Sequence, residues 1–160
     1  MIEIRPVRSS RDWELFIGLP WKLYSGDPHW VPQLRIAVRD MLDVRKNPFF
    51  KHAFMNPWVA LRGGEVVGRI VGVIDENHNR FHGEKTAFFG FFEAVDDPGV
   101  ARRLLDEVQA WALERGMDTL RGPVNLSTNH ECGLLVEGHD SAPSVMMAYN
   151  PPYYASLIEE

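Results

Sequence analysis

The stretch WVALRGGEVVGRIVGVID, Trp58 to Asp75, constrains the fold more than any other part of the chain. Two apolar runs meet at Gly63-Gly64, and a glycine pair supplies the positive φ angles that a two-residue hairpin turn requires. The second arm, Val66 to Ile74, is nearly all apolar, which predicts a central strand covered on both faces. Helices must then flank the sheet, so this one segment already implies an α/β (α+β) fold.

The flanking sequence supplies the other elements. Ile2 to Val7 alternates like a short strand, and Ser9 with Asp12 three residues on reads as a capping box ahead of Trp13, Leu15, Phe16 and Ile17. Pro20 is expected to start a second helical turn that SGDP breaks, and Leu34 to Leu42 predicts another helix ending near Asp43. NPFFKHAFMNP is expected to be irregular and ENHNRFHGEK to be a polar loop. TAFFGFFEA reads as a third strand in which Gly90 marks a bulge or a close approach by another backbone or a ligand. Ala101, Leu104, Leu105, Val108, Trp111 and Ala112 recur at helical spacing, and Gly116 can end that helix. MDTLRGPV and VMMAY read as short strands, and PPYYASLIEE as the start of a helix.

Composition narrows the function classes. With 160 residues, one domain is expected. Seventeen basic against 22 acidic residues give a net charge of −5 with no basic run, so neither nucleic acid nor an anionic membrane is an expected partner. Cys132 is the sole cysteine, which excludes an internal disulfide and a cysteine zinc site. No run approaches the roughly 18 apolar residues of a membrane span, and MIEIRPVRSS lacks a signal-peptide core, so a cytoplasmic location is expected. His78 and His82 have zinc-binding spacing for a helix, but Asn77, Asn79 and Gly83 argue against a helix there, and no metal is expected. Trp13, Phe16, Trp21, Tyr24 and Trp30 read as packing aromatics.

EAVDDPGVARRLL, Glu93 to Leu105, leaves two readings open. The start of a helix presents unpaired N–H groups suited to a phosphate. Asp96 or Asp97 can equally take those groups as an N-cap, with Pro98 preset for the first helical position.

The order strand, two helices, three antiparallel strands, long helix, strand and helix resembles the GNAT superfamily of N-acetyltransferases. PWKLYSGDPHWVPQL, NPFF, NHNRFHGEKTAFFGFFE, RGPVNLSTNHECGLLVEG and MMAYNPPYY look like the amino-terminal half of longer bacterial GNAT-like proteins, and the likeness spans essentially the whole chain. The resemblance implies one acyltransferase domain over residues 1–160, short of its last strands at the carboxyl end, with an exposed sheet edge that could favour self-association. It implies acetyl-CoA or another acyl-CoA as cosubstrate, with a small-molecule or protein amine as acceptor.

The family's phosphate loop reads Q/R-x-x-G-x-G/A, and Asp96 to Ala101 takes that register. Gly99, Val100, Ala101 and Arg102 are thereby implied to hold the pyrophosphate. Asp96 replaces the loop's polar or basic residue, and a like charge about 5 Å away costs on the order of 3 kcal/mol at an effective dielectric near 20. Phe91 and Glu93 are implied to line the pantetheine arm, with Glu93 also a candidate general base, directly or through water. The family's acidic tyrosine would fall near Ile158, and Tyr154, one turn earlier on the same face, is the candidate to replace it. Asn125, Asn129 and Tyr149 are candidates for the acceptor site, and Cys132 beside His130 is a weaker nucleophile candidate. The other reading is a GNAT-like module that binds a ligand or a partner without catalysis.

Overall fold

The computed structural model describes residues 1–159. Its elements are β1 (Ile2–Pro6), α1 (Ser10–Leu23), α2 (Arg35–Leu42), a short 3-10 turn (Pro48–Lys51), β2 (Ala53–Arg62), β3 (Glu65–Asp75), α3 (Glu76–His82), β4 (Thr86–Ala94), α4 (Pro98–Leu113), β5 (Thr119–Arg121) and α5 (Tyr154–Glu159). The five strands follow chain order across one sheet. Every neighbouring pair is antiparallel except β4 and β5, which run parallel.

Residue alternation along β3 sends side chains to two cores. Ile70 and Ile74 pack with Leu104, Val108 and Trp111 of α4 and with Tyr154, whereas Val71 and Val73 pack with Phe16, Ile17 and Leu19 of α1 and Val38 of α2. Strand β3 is thus buried on both faces, as its sequence requires.

Four expectations need correction. Pro20 lies inside α1 rather than starting a new turn. Strand β2 begins at Ala53, so the second half of NPFFKHAFMNP is sheet, and only β3 flanks that end because β1 stops pairing at Pro6 with Trp58. ENHNRFHGEK contains α3: Asp75 accepts from the amides of Asn77 and His78, and Gly83 closes the helix at φ 64°. VMMAY forms no strand; Val145, Met146 and Met147 are exposed, and Met146 sits at φ 66°.

The bulge signalled by Gly90 is present. Val71 pairs with Gly90 and Arg69 with Glu93, so β4 carries one extra residue across that interval. Phe91 takes φ 50° there, a left-handed conformation that costs a non-glycine residue energy and persists only where its surroundings enforce it. Gly90 is needed for contact: a Cβ on it would lie 1.9 Å from the carbonyl oxygen of Val124.

Candidate acyl-transfer site

The bulge is where β4 and the chain after β5 part company. Val124 N–H still donates to Phe89 O at 2.7 Å, but the chain then folds back on itself, with Asn125 N–H donating to Glu131 O at 2.9 Å. The strand that would have continued beside β4 turns away, and a cleft opens at Phe91.

Behind that cleft lies a buried polar cluster. Glu93 Oε2 accepts from the hydroxyls of Tyr24, at 2.9 Å, and Tyr154, at 2.5 Å. Tyr154 Oη also accepts from Ala94 N–H at 3.0 Å, and Tyr153 donates to Ala94 O at 2.8 Å. Arg69, facing Glu93 across the β3–β4 ladder, brings its guanidinium to 3.7 Å from Oε1. Burial raises the Glu93 pKa against the opposing pull of Arg69 and the two phenols. Burial also raises the pKa of both tyrosines, with the Glu93 charge adding to it, so each phenol holds its proton.

Arg69 is anchored by a defect in α1. Pro20 has no N–H to give the carbonyl four residues earlier, that of Phe16. Arg69 Nη1 donates to this oxygen at 2.9 Å, and the guanidinium lies over the Phe16 ring. A helix irregularity on one side of the sheet therefore fixes the cation that pairs with Glu93.

Two clefts meet at the bulge. The first lies between Phe91 and Phe92 on β4 and Gly133, Leu134 and Asn150 on the returning chain, with Tyr154 in its wall. The second reaches the bulge from the α1 side past Trp21, Trp30, Val31 and Met147. Phe91, Asn125, Glu131 and Tyr149 line both.

Of the anticipated site residues, Glu93, Tyr154, Phe91, Asn125 and Tyr149 converge. Glu93 sits behind the tyrosines, its side chain 13% exposed, rather than on a cleft wall. Asn125 Oδ1 accepts from Phe91 N–H at 2.8 Å, and Tyr149 donates to Asp27 at 2.7 Å. Asn129 stands apart, exposed, with its N–H bonded to Ser127 Oγ at 3.2 Å. Cys132 is exposed, and the His130 ring pairs with Ser127 at 2.8 Å.

At the opening of α4, Asp97 is the N-cap. Its carboxylate accepts from Gly99 N–H at 2.8 Å and pairs with Arg62, and these contacts, Arg62 foremost, hold its pKa below the usual range. Val100 and Ala101 are fully buried, while Asp96 and Arg102 are exposed. The Gly99 amide that a phosphate would use is filled by the protein's own carboxylate. Arg102 and Pro98 face Leu157 of α5 across a separate shallow cleft.

Sequence reasoning missed Tyr24 as a site residue and missed Arg69 altogether. Arg69 is the one charge inside the apolar run Val66 to Ile74, and a charge buried in a central strand demands a partner. No comparable local signal marks Tyr24. The rings of His78 and His82 lie 4.4 Å apart, and His78 bonds to Glu84 at 3.1 Å. No candidate metal cluster of three or more His, Cys, Asp or Glu residues occurs among the described residues. None of the described helices is long and apolar enough to cross a membrane.

The mainly antiparallel sheet and its flanking helices take the fold of the GNAT acetyltransferases. The chain is 39% identical over 157 residues to Protein YghO of Escherichia coli (strain K12), covering 98% of this chain and 40% of that protein. It is 38% identical over 160 residues to the bacterial ceramide synthase of Caulobacter vibrioides, covering 99% of this chain and 42% of that protein. The chain thus spans about two fifths of the length of these curated relatives. Among solved structures, AAC(6')-Iy in complex with a CoA-linked bisubstrate analogue matches with a TM-score of 0.53 at 18% identity, over 81% of this chain and 83% of that one. No family model matches the chain.

Proposed function

We propose that the chain carries the reaction centre of a CoA-dependent N-acyltransferase, moving an acyl group from an acyl-CoA thioester to an amine. The observation that carries this reading is the meeting of two clefts over the bulge of β4, directly in front of the Glu93 cluster. Transfer between two substrates needs such a junction, where proximity alone lowers the barrier by several kcal/mol, about 7–11 in well-oriented systems. The name of the ceramide synthase relative agrees with the reaction class, because a ceramide is an N-acylated amine.

In this reading the amine nitrogen attacks the thioester carbonyl carbon, the C–S bond breaks, and sulfur leaves as a thiolate. Tyr154, in the wall of the first cleft and protonated at neutral pH, gives its proton to the sulfur. Glu93 receives the nitrogen's proton through the tyrosine hydroxyls and returns one to Tyr154. Arg69 holds the carboxylate in place.

Glu93→Gln tests this. Release of free thiol from acyl-CoA in the presence of primary amines should fall by about a hundredfold or more, with CoA affinity little changed. The wild-type rate should lose its acid limb above the ordinary carboxylate range, since the base works deprotonated and burial lifts its pKa. Undiminished turnover in the variant would remove Glu93 from the mechanism.

A second reading, a ligand-binding or interaction module without catalysis, is favoured by one set of contacts. Asn125 occupies Phe91 N–H, Tyr154 and Tyr153 occupy Ala94 N–H and C=O, and Asp97 occupies Gly99 N–H. Acyl-CoA binding would have to compete with these side chains. Calorimetric titration with acetyl-CoA separates the readings.

A further inference from the structure

Where the second cleft meets the first stands a carboxylate that the acyl-transfer step leaves unused. Glu131 Oε1 accepts from Gln33 Nε2 at 2.8 Å and Oε2 accepts from Asn125 Nδ2 at 3.3 Å. Both partners are neutral, so the carboxylate is hydrogen-bonded without a cation. The other charge on this wall, Arg69, is engaged by Glu93 and the Phe16 carbonyl. An uncompensated carboxylate in a partly desolvated wall favours a cation beside it.

The outer part of the cleft has the opposite character. Trp30 stacks on Tyr24 at 5.1 Å and meets Trp21 edge-on at 5.4 Å. Val31 and Met147, on its rim, are 57% and 62% exposed. Exposed apolar side chains gathered at the mouth of a cleft signal a ligand that covers them.

We propose that this cleft takes an amphiphilic primary amine, with Glu131 receiving the ammonium beside the bulge and the apolar tail running out over Trp30, Val31 and Met147. The inference rests on the acyltransferase reading for the amine's fate, but the binding event stands without it. Because Asn125 links Glu131 to Phe91 N–H, an ammonium on Glu131 sits beside the bulge of β4. A small polycation gains nothing from the apolar mouth, so the tail discriminates as much as the charge does.

Calorimetric titration in the absence of CoA tests the assignment, using decylammonium, decanol, butylammonium and spermidine. The wild-type protein should bind decylammonium at least tenfold more tightly than each of the other three. Glu131→Gln, which keeps an acceptor for Gln33 and Asn125, should bring decylammonium down to the affinity of decanol and leave decanol unchanged. Met147→Ser, on the exposed rim, should weaken decylammonium and decanol alike while sparing butylammonium; this variant reads the tail contact even if Glu131→Gln does not fold. Equal affinity for decylammonium and decanol, an intact preference in Glu131→Gln, or tighter binding of spermidine than of decylammonium would overturn the proposal. Amine binding as described without any acyl transfer would overturn the enzymatic reading alone.

Discussion

The Phe16 carbonyl, which Pro20 leaves without its helical donor, is taken by Arg69, and through it the interior of α1 is tied to Glu93. Removing the guanidinium would orphan that carbonyl and leave a carboxylate without its cation in a desolvated setting. Arg69→Met should therefore destabilise the fold by about 3–5 kcal/mol in urea denaturation. Adding Glu93→Gln to it should recover part of that loss, since the second change removes the stranded charge. Purely additive losses would show that the two groups do not interact. At this scale the sequence was half legible. Glu93 is a candidate only through the family resemblance, and Asn125 and Tyr149 through the polar loop and the aromatic cluster around them; the fold brings the three near one another. Tyr24 did not stand out, because its neighbours made an aromatic packing cluster the economical explanation and its hydroxyl finds Glu93 only through the fold.

Among the elements, the strongly patterned ones were readable: the hairpin, the bulged β4, the capping box of α1 and the long amphipathic α4. Helix α3 was not, since its composition disfavours helix and its support comes from elsewhere. Asn79 exchanges hydrogen bonds of 3.0 Å with both backbone groups of Thr86, a contact no local pattern announces. VMMAY failed for the converse reason: an apolar run becomes a strand only where a neighbouring strand receives it. At the N-terminus of α4 the cap is Asp97 rather than Asp96. Asp97→Asn keeps an acceptor for Gly99 N–H but removes the negative charge. If the diphosphate of CoA binds at this helix end, the variant should bind CoA about tenfold or more tightly at low ionic strength, with the gain shrinking as salt is added. Identical affinities at two ionic strengths would place the diphosphate elsewhere.

At the scale of the molecule, the sheet and its two cores followed from hydropathy patterns, whereas the junction of clefts did not. It depends on a backbone divergence at Val124 that Gly90 permits but does not specify. The Glu93 cluster draws on α1, β3, β4 and α5, and its two phenols lie 69 and 61 residues from the carboxylate along the chain. Such distant segments meet late in folding, because each long loop must close before its contact gives anything back. Tyr154→Phe should accordingly speed unfolding while leaving the refolding rate within about twofold of wild type, which stopped-flow chevron plots would reveal. A matching slowdown in refolding would mean that the cluster forms early. Until α5 docks, Glu93 has Arg69 and Tyr24 but not the Tyr154 hydroxyl, and the sheet surrounds an unfinished ionic centre. On that order the Glu93 cluster is the last part of this molecule to form, and the first to dissolve when the fold begins to open.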